Sequence, residues 1–400
     1  MSLQRFPQEL INSIVDEVYD DHSALYACTL VNHAFSSAAR FHLHSVINVE
    51  ASYQATCKLL ELVSTPPGFR SAVKGVRLIF KSNKNLGDDD AKALSLFSHA
   101  MRVLSNLTAL SIKGYSHTIP SHLFQDFPPC PNLRSLSLTS LNFASPDDFL
   151  LFCTHFPGIQ SIHLSNVGSF GNESEVSGNT GSRLSPEYLC LRRMKGDILR
   201  YIDISRLKKI RLTAAPGYQL HTVIQGTLID TAPKLEEVII NAKPYKSSAL
   251  DLSRISCLTI QHFNYLQQPF AGLQNLFFNK FPPQLFAVKE LTLKLYVFPE
   301  RLLSCEESHW TWLEDILLAV QDRVHIIVVT DHGDRAKYEA DCVKKFHSAL
   351  PRLDGRGSLK VHMVEGISHS RENEQILHCG GIFVPRMNVL AKAELEGRGR

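Results

Sequence analysis

Apolar residues along this chain follow two different periods, and the change falls near residue 50. Leu10, Ile11, Ile14, Val15 and Val18 recur at helical spacing and predict one apolar stripe on a first helix. Pro7 suits its first turn, where a missing N–H costs nothing, and Asp20-Asp21 end it. Asp21 or Ser23 then caps a second helix carrying Leu25, Cys28, Leu30 and Val31. A third helix, near Ser36 to Leu43, presents Phe35, Ala38, Ala39 and Leu43. Three short helices hold too little core to stand alone. An apolar stripe left over on such a unit marks an interface.

After residue 50 the apolar positions fall at i, i+3 and i+5. The series reads Val73/Val76/Leu78, Leu107/Leu110/Ile112, Leu133/Leu136/Leu138, Ile159/Ile162/Leu164, Leu207/Ile210/Leu212 and Leu235/Val238/Ile240. It continues as Ile255/Leu258/Ile260, Leu273/Leu276/Phe278 and Val288/Leu291/Leu293, with Leu189-Cys190-Leu191 as a degenerate copy in the gap after Leu164. Most copies are spaced near the roughly 20–29 residues of a leucine-rich repeat. Pro131-Asn132-Leu133, Pro157-Gly158-Ile159 and Pro233-Lys234-Leu235 punctuate the boundaries. Between triplets, Asp88 to Leu104 and Leu220 to Ile229 read as helices. Ser145-Pro146-Asp147-Asp148 is a helix start, with a cap, a proline in the first turn and acids at the positive end. Strand and helix alternating at a repeating period predict a parallel α/β solenoid. Asn142 and Asn166 fit the asparagine ladder of a regular repeat only loosely, so the solenoid is read as irregular.

The last third departs from this period. Arg323 to Val329 is a buried-strand run, Asp334 to Leu350 a helix with Ala336, Cys342, Val343 and Phe346 inward, and Leu359 to Val364 a further strand. This β-α-β unit reads as a C-terminal cap over the last repeat. The expected organisation is a helical head at 1–50, a solenoid at 51–300, the cap at 301–366 and a tail at 367–400. The Gly/Ser/Asn-rich stretch Gly168 to Ser182 reads as an insertion.

Charge changes this picture little. Lys+Arg number 42 against Asp+Glu 39, a net +3 that gives no reason to expect nucleic acid or an anionic membrane as partner. Within residues 1–50, Arg5 and Arg40 stand against Glu9, Asp16, Glu17, Asp20, Asp21 and Glu50; two minus six leaves the head at −4. The nine dispersed cysteines include no C-x-x-C pair and read as free thiols of a reducing compartment. The sequons at Asn106 and Asn172 would then stay unused. No signal peptide and no apolar run near 18 residues is visible, so the expected location is cytoplasmic or nuclear.

Catalytic signatures are equally sparse. No P-loop, G-x-G-x-x-G, G-x-S-x-G or H-E-x-x-H occurs. His42 and His44 lack a nearby cysteine or carboxylate to complete a metal set. Asp331-His332-Gly333-Asp334, after the apolar strand, has the placement of a catalytic loop, but no second carboxylate or nucleophile cluster supports that role, and the stretch is read as a turn in which Gly333 bends and Asp334 caps. No enzyme, cofactor or metal is expected.

The ordered set Phe6-Pro7-x-Glu9-Leu10, an acidic break, then Leu25-x-x-Cys28-x-Leu30-Val31 and Phe35 resembles the F-box in the form common among fungal proteins. It spans about residues 4–48, and the repeats resemble the leucine-rich-repeat bodies that often accompany it. Two positions depart from the family pattern: Phe35 stands where Trp is frequent, and Asn32-His33 stand where a basic residue is usual. The resemblance implies a Skp-type adaptor, and through it a cullin, as partner, with Phe6, Pro7, Leu10, Ile14, Leu30, Val31 and Phe35 as the contacts. The expected role is the substrate-recognition subunit of a Skp–cullin–F-box ubiquitin ligase, with an unidentified protein as target. The outward strand positions would hold that target: Arg77, Lys113, His163, Lys209, Arg211, Ile239 and Phe277, with Ser111, Ser137, Thr259 and Thr292 in the same rows. The alternative is a repeat scaffold with a structural head and no ligase role.

Overall fold

One backbone motif recurs along the chain. The carbonyl of Ser45 accepts from the consecutive N–H groups of Lys74 and Gly75, that of Lys74 from Thr108 and Ala109, that of Thr108 from Arg134 and Ser135, and that of Arg134 from Gln160 and Ser161. The same forked bond runs from Glu187 to Lys208 and Lys209, and on through Glu236 and Ser256 to Lys289, whose carbonyl accepts from Asp322 and Arg323. Each fork launches a strand directly beside the one before it. A computed structural model describes residues 7–18, 21–64, 67–80, 88–119, 127–168, 184–192, 202–213, 232–242, 255–263, 270, 273, 288–330 and 334–365. These fall into two compact units, one up to Leu184 and one from Ser185 on.

The first unit opens with three helices, α1 (Gln8–Glu17), α2 (His22–Val31) and α3 (His33–Leu43). A parallel sheet follows: β1 (Val46–Glu50), β2 (Gly75–Ile79), β3 (Ala109–Ile119), β4 (Ser135–Phe143) and β5 (Ser161–Ser165), paired in sequence order. The register stacks Ile47, Val76, Leu110, Leu136 and Ile162 in one buried column and Val49, Leu78, Ile112, Leu138 and Leu164 in the next. From β2 onward these are the second and third residues of the sequence triplets. The first residues, such as Leu107, Leu133 and Ile159, sit buried in the turn before each strand, each N–H bonded three residues back. At Ile159 the turn needs its glycine, because a Cβ on Gly158 would lie 2.5 Å from the Pro131 carbonyl oxygen.

Behind this sheet lie helices and an aromatic layer. Phe127, Phe152 and Phe156 meet edge-to-face at centroid distances of 5.5, 5.6 and 4.9 Å, and Phe143 meets Phe149 at 5.3 Å. The helix Pro146–Thr154 starts where its sequence says. Ser145 Oγ accepts from the Asp148 N–H at 3.2 Å while Asp148 Oδ2 accepts from the Ser145 N–H at 3.0 Å, a reciprocal capping box. Ser145→Ala should cost about 1 kcal/mol in urea unfolding; an unchanged midpoint would mean the cap contributes nothing.

The second unit repeats the design. β6 (Tyr188–Arg192), β7 (Lys209–Thr213), β8 (Glu237–Ala242), β9 (Cys257–Phe263), β10 (Glu290–Tyr296), β11 (Arg323–Thr330) and β12 (Leu359–Glu365) pair in parallel and in order. Leu189, Ile210, Val238, Leu258, Leu291, Val324 and Leu359 form its first core column. On the helix Glu307–Leu317, Trp310 is wedged edge-on between Phe270 (5.1 Å) and Phe346 (4.9 Å). Glu314 on the same helix is buried. It accepts from Arg352 Nε at 2.8 Å and from the backbone N–H groups of Arg352 (2.6 Å) and Leu353 (3.3 Å), so its charge is matched.

Two expectations need correction. The sheet begins at Val46, inside the span 1–50 assigned to the head, because the Ser45 fork sets β1 beside β2. β9 pairs directly with β10, so the triplet Leu273/Leu276/Phe278 supplies no strand between them. Phe270 and Leu273 are buried instead, Phe270 against Trp310, and i, i+3 spacing serves a helix-side layer as well as a strand. Within the span 301–366, β11, the helix Asp334–Ala349 and β12 follow in that order, and the two strands extend the ladder from β10. The expected helix Leu220 to Ile229, the stretch 169–182 and the tail 367–400 lie outside the described residues.

Candidate docking surfaces

The head is the first candidate. Pro7 precedes α1, and its carbonyl accepts from the Leu10 and Ile11 N–H groups at 3.1 and 3.2 Å. Asp21 caps α2, accepting from the Ala24 N–H at 3.0 Å and from the Ser23 hydroxyl at 2.7 Å. Asn32 ends α2 and caps α3, accepting from the Phe35 N–H at 3.0 Å. That cap starts α3 at His33 instead of near Ser36. It also gives Asn32, a departure from the F-box pattern, a structural task. The signal was present in the sequence as an Asn just before an apolar helical run.

Inside the head, Ile11 and Val15 of α1 meet Leu25 of α2 and Ala39 and Leu43 of α3, with Val18, Cys28, Phe35 and Ala38 packed around them. Asp16 Oδ1 lies 2.7 Å from His42 Nε2, tying α1 to α3. His42 thus has a carboxylate and no metal set. Among the described residues no group of three or more His, Cys, Asp or Glu could hold a metal ion.

The predicted stripe of α1 divides in two. Ile11 and Val15 point inward, whereas Leu10 and Ile14, one helical turn apart, are 51% and 47% exposed. On α2, Leu30 and Val31 are 86% and 62% exposed. Tyr26 and Phe41, which sequence reasoning did not single out, are also well exposed. Of the expected adaptor contacts, Pro7, Leu10, Ile14, Leu30 and Val31 are therefore exposed; Phe35 is half-buried against the head core, and Phe6 lies outside the described residues.

The outward sheet positions are the second candidate. In the first unit, Asn48, Arg77, Ser111, Ser137 and His163 form one column. Arg77 and Lys113 are half-buried, but Asn48, Ser111, Ser137 and His163 are buried, so this column offers little surface. Ser140, within β4, and Asn166, just after β5, share a left-handed backbone (φ 52°), and Asn166 Nδ2 donates to Ser140 Oγ at 3.3 Å. This is local turn chemistry in place of a regular asparagine ladder.

In the second unit the column is Cys190, Arg211, Ile239, Thr259, Thr292, His325 and Lys360. Lys209, Arg211 and Ile239 are half-buried. Lys209 Nζ pairs with Glu237 Oε1 at 2.8 Å and lies 5.8 Å from the centroid of the Tyr188 ring. Arg211 Nη2 reaches across β8 to Gln261 Oε1 at 3.4 Å. Phe277 lies outside the described residues, as do Asp331, His332 and Gly333. The described cysteines are free; burial alone pushes the Cys130 thiol up to about 11 and raises Cys153 further, so neither is a nucleophile at neutral pH.

Each unit adds one parallel strand per repeat in sequence order with stacked Leu-x-x-Leu-x-Leu columns, an arrangement consistent with an irregular leucine-rich-repeat-like solenoid. No family model matches the chain, and no curated protein matches it. Among solved structures it is similar to the leucine-rich repeat-containing protein LegL7 from Legionella pneumophila, at 14% identity and a TM-score of 0.42, over 76% of this chain and 98% of that one. Among the described residues no helix is long and apolar enough to cross a membrane.

Proposed function

We propose that this chain is a non-catalytic, two-surface adaptor: the substrate-recognition subunit of a Skp–cullin–F-box ubiquitin ligase. The head seats in a Skp-type adaptor and through it joins a cullin, and the repeats hold a protein target. One observation carries the reading. Leu10, Ile14, Leu30 and Val31 face solvent on a unit whose own core is already supplied by other residues. Burying the exposed part of each contributes roughly 1–2 kcal/mol, which favours a partner. A head that served only to brace the repeats would spend those side chains on the repeats. The ligase's contribution to transfer would be proximity, with other subunits doing the chemistry.

The test is co-purification of the full chain with a Skp-type adaptor expressed alongside it. The reading expects a stoichiometric complex that also retains a cullin. If the folded chain comes through alone, the ligase role fails and the repeat scaffold remains.

A further inference from the structure

Positive charge on the second unit's sheet face is not evenly matched. On β7 and β8 the cation Lys209 already meets the carboxylate of Glu237. On β11 and β12 the pairing differs. Side chains alternate along a strand, so Val324 and Ile326 face the core while Arg323, His325 and Ile327 face outward. On β12, Leu359 and Met363 are buried while Lys360 and His362 are exposed. The register sets His325 opposite Lys360 and Ile327 opposite His362. Arg323 is 62% exposed at the start of the same face.

Two described carboxylates border this patch: Glu290 of β10, opposite Arg323 at 3.7 Å, and Glu339 of the helix Asp334–Ala349, held below the ordinary carboxylate range first by its hydrogen bond from Arg335 and also by His362. Lys294, also on β10, lies opposite Ile327. The local field is positive. His325 is held below the ordinary histidine range, first by burial and then by Lys360, with His362 and Arg323 acting the same way and Glu290 alone opposing them. Like charges on neighbouring strands repel, and an incoming carboxylate relieves that repulsion. Ile327 adds an apolar position between Lys294 and His362.

We propose that the β11–β12 end of this face seats an acidic segment of a partner polypeptide, through carboxylates that meet Arg323, Lys360 and His362. This deepens the target-binding half of the reading above and rests on it. Neighbouring strands lie about 4.8 Å apart and an extended peptide advances about 3.3 Å per residue. A segment crossing these strands therefore presents two or three acidic side chains to the patch. A nucleic acid fits less well: the patch is narrow and Glu290 borders it, whereas polyphosphate binding draws on several phosphate contacts along a strand.

The experiment uses the full chain and a fluorescein-labelled peptide of alternating glutamate and glycine, followed by fluorescence anisotropy. The inference expects saturable binding that weakens as salt rises. It expects binding at least about tenfold weaker, roughly 1.4 kcal/mol, when glutamine replaces glutamate or when Arg323→Glu and Lys360→Glu are combined. The milder pair Arg323→Gln and Lys360→Gln should fall between, with circular dichroism unchanged. Lys58→Glu with Lys92→Glu, on helices of the other unit, should bind as wild type. The inference is overturned if the glutamine peptide binds equally, if the folded charge-reversed chain keeps full affinity, or if a short single-stranded RNA binds more tightly than the glutamate peptide. None of these substitutions touches the head. Adaptor capture without peptide binding therefore sinks this inference alone, and peptide binding without adaptor capture sinks the ligase role alone.

Discussion

Leu10→Asp combined with Leu30→Asp should weaken capture of a Skp-type adaptor at least about a hundredfold, a change of roughly 2.8 kcal/mol, while leaving the chain folded. Both side chains are exposed in the free chain, so the folded state loses little. In the complex each aspartate would enter an apolar contact without a partner, which costs more than the lost methyl groups alone. Position 10 also lies in the first turn of α1, where an acid is favoured by the helix dipole. The contrasting variant is Ile11→Ala. Ile11 is the neighbour of Leu10 but is buried in the head core. Its truncation should cost about 2–5 kcal/mol of stability and broaden head resonances before it affects binding as such. If the two variants behaved alike, the division of α1 into an inward and an outward face would be wrong.

Trp310→Ala should destabilise the second unit by about 3–5 kcal/mol, the range for an aromatic removed from a packed core. Trp310 is enclosed by Phe270 and Phe346, and its truncation leaves two rings facing a cavity. Trp310→Phe should cost much less. It keeps an aromatic edge for both neighbours and removes an indole N–H that has no hydrogen-bond partner among the described residues. Urea unfolding followed by far-ultraviolet circular dichroism separates these outcomes. Equal losses for the two variants would mean that the indole, not the aromatic packing, holds this layer.

The repeats were legible where the turn residue before a strand was itself apolar. From β2 to β5 and from β7 to β10 a buried Val, Leu or Ile precedes the strand, and the triplet marks the rung. At β1 and β11 the corresponding positions are His44 and Gln321, so the triplet was incomplete there and β11 was legible only as an apolar run. There the forked backbone bonds from Ser45 and Lys289 do the positioning, and backbone geometry leaves no trace in composition. Conversely, the triplet opened by Leu273 satisfied the pattern although β9 pairs directly with β10, since the i, i+3 part of the spacing suits a packed helical face as well as a strand. In the head the helices were readable but their partition was not. Leu10, Ile11, Ile14 and Val15 form one continuous stripe on a helical wheel, and only the positions of α2 and α3 decide which half is covered. The outward sheet column was readable as a face. Its burial in the first unit at Ser111, Ser137 and His163 was not, because small polar residues look alike on a covered and an open surface.

The claim on which the functional reading stands is that the exposed apolar side chains of the head are a seat for another protein. Calorimetric titration of a purified Skp-type adaptor into the full chain, at two temperatures, measures it directly. The account predicts saturable one-to-one binding at a Kd of about 1 μM or tighter, with a negative heat-capacity change from apolar burial. A folded chain that gives no binding heat at either temperature, and no complex on gel filtration of the same mixture, would contradict it.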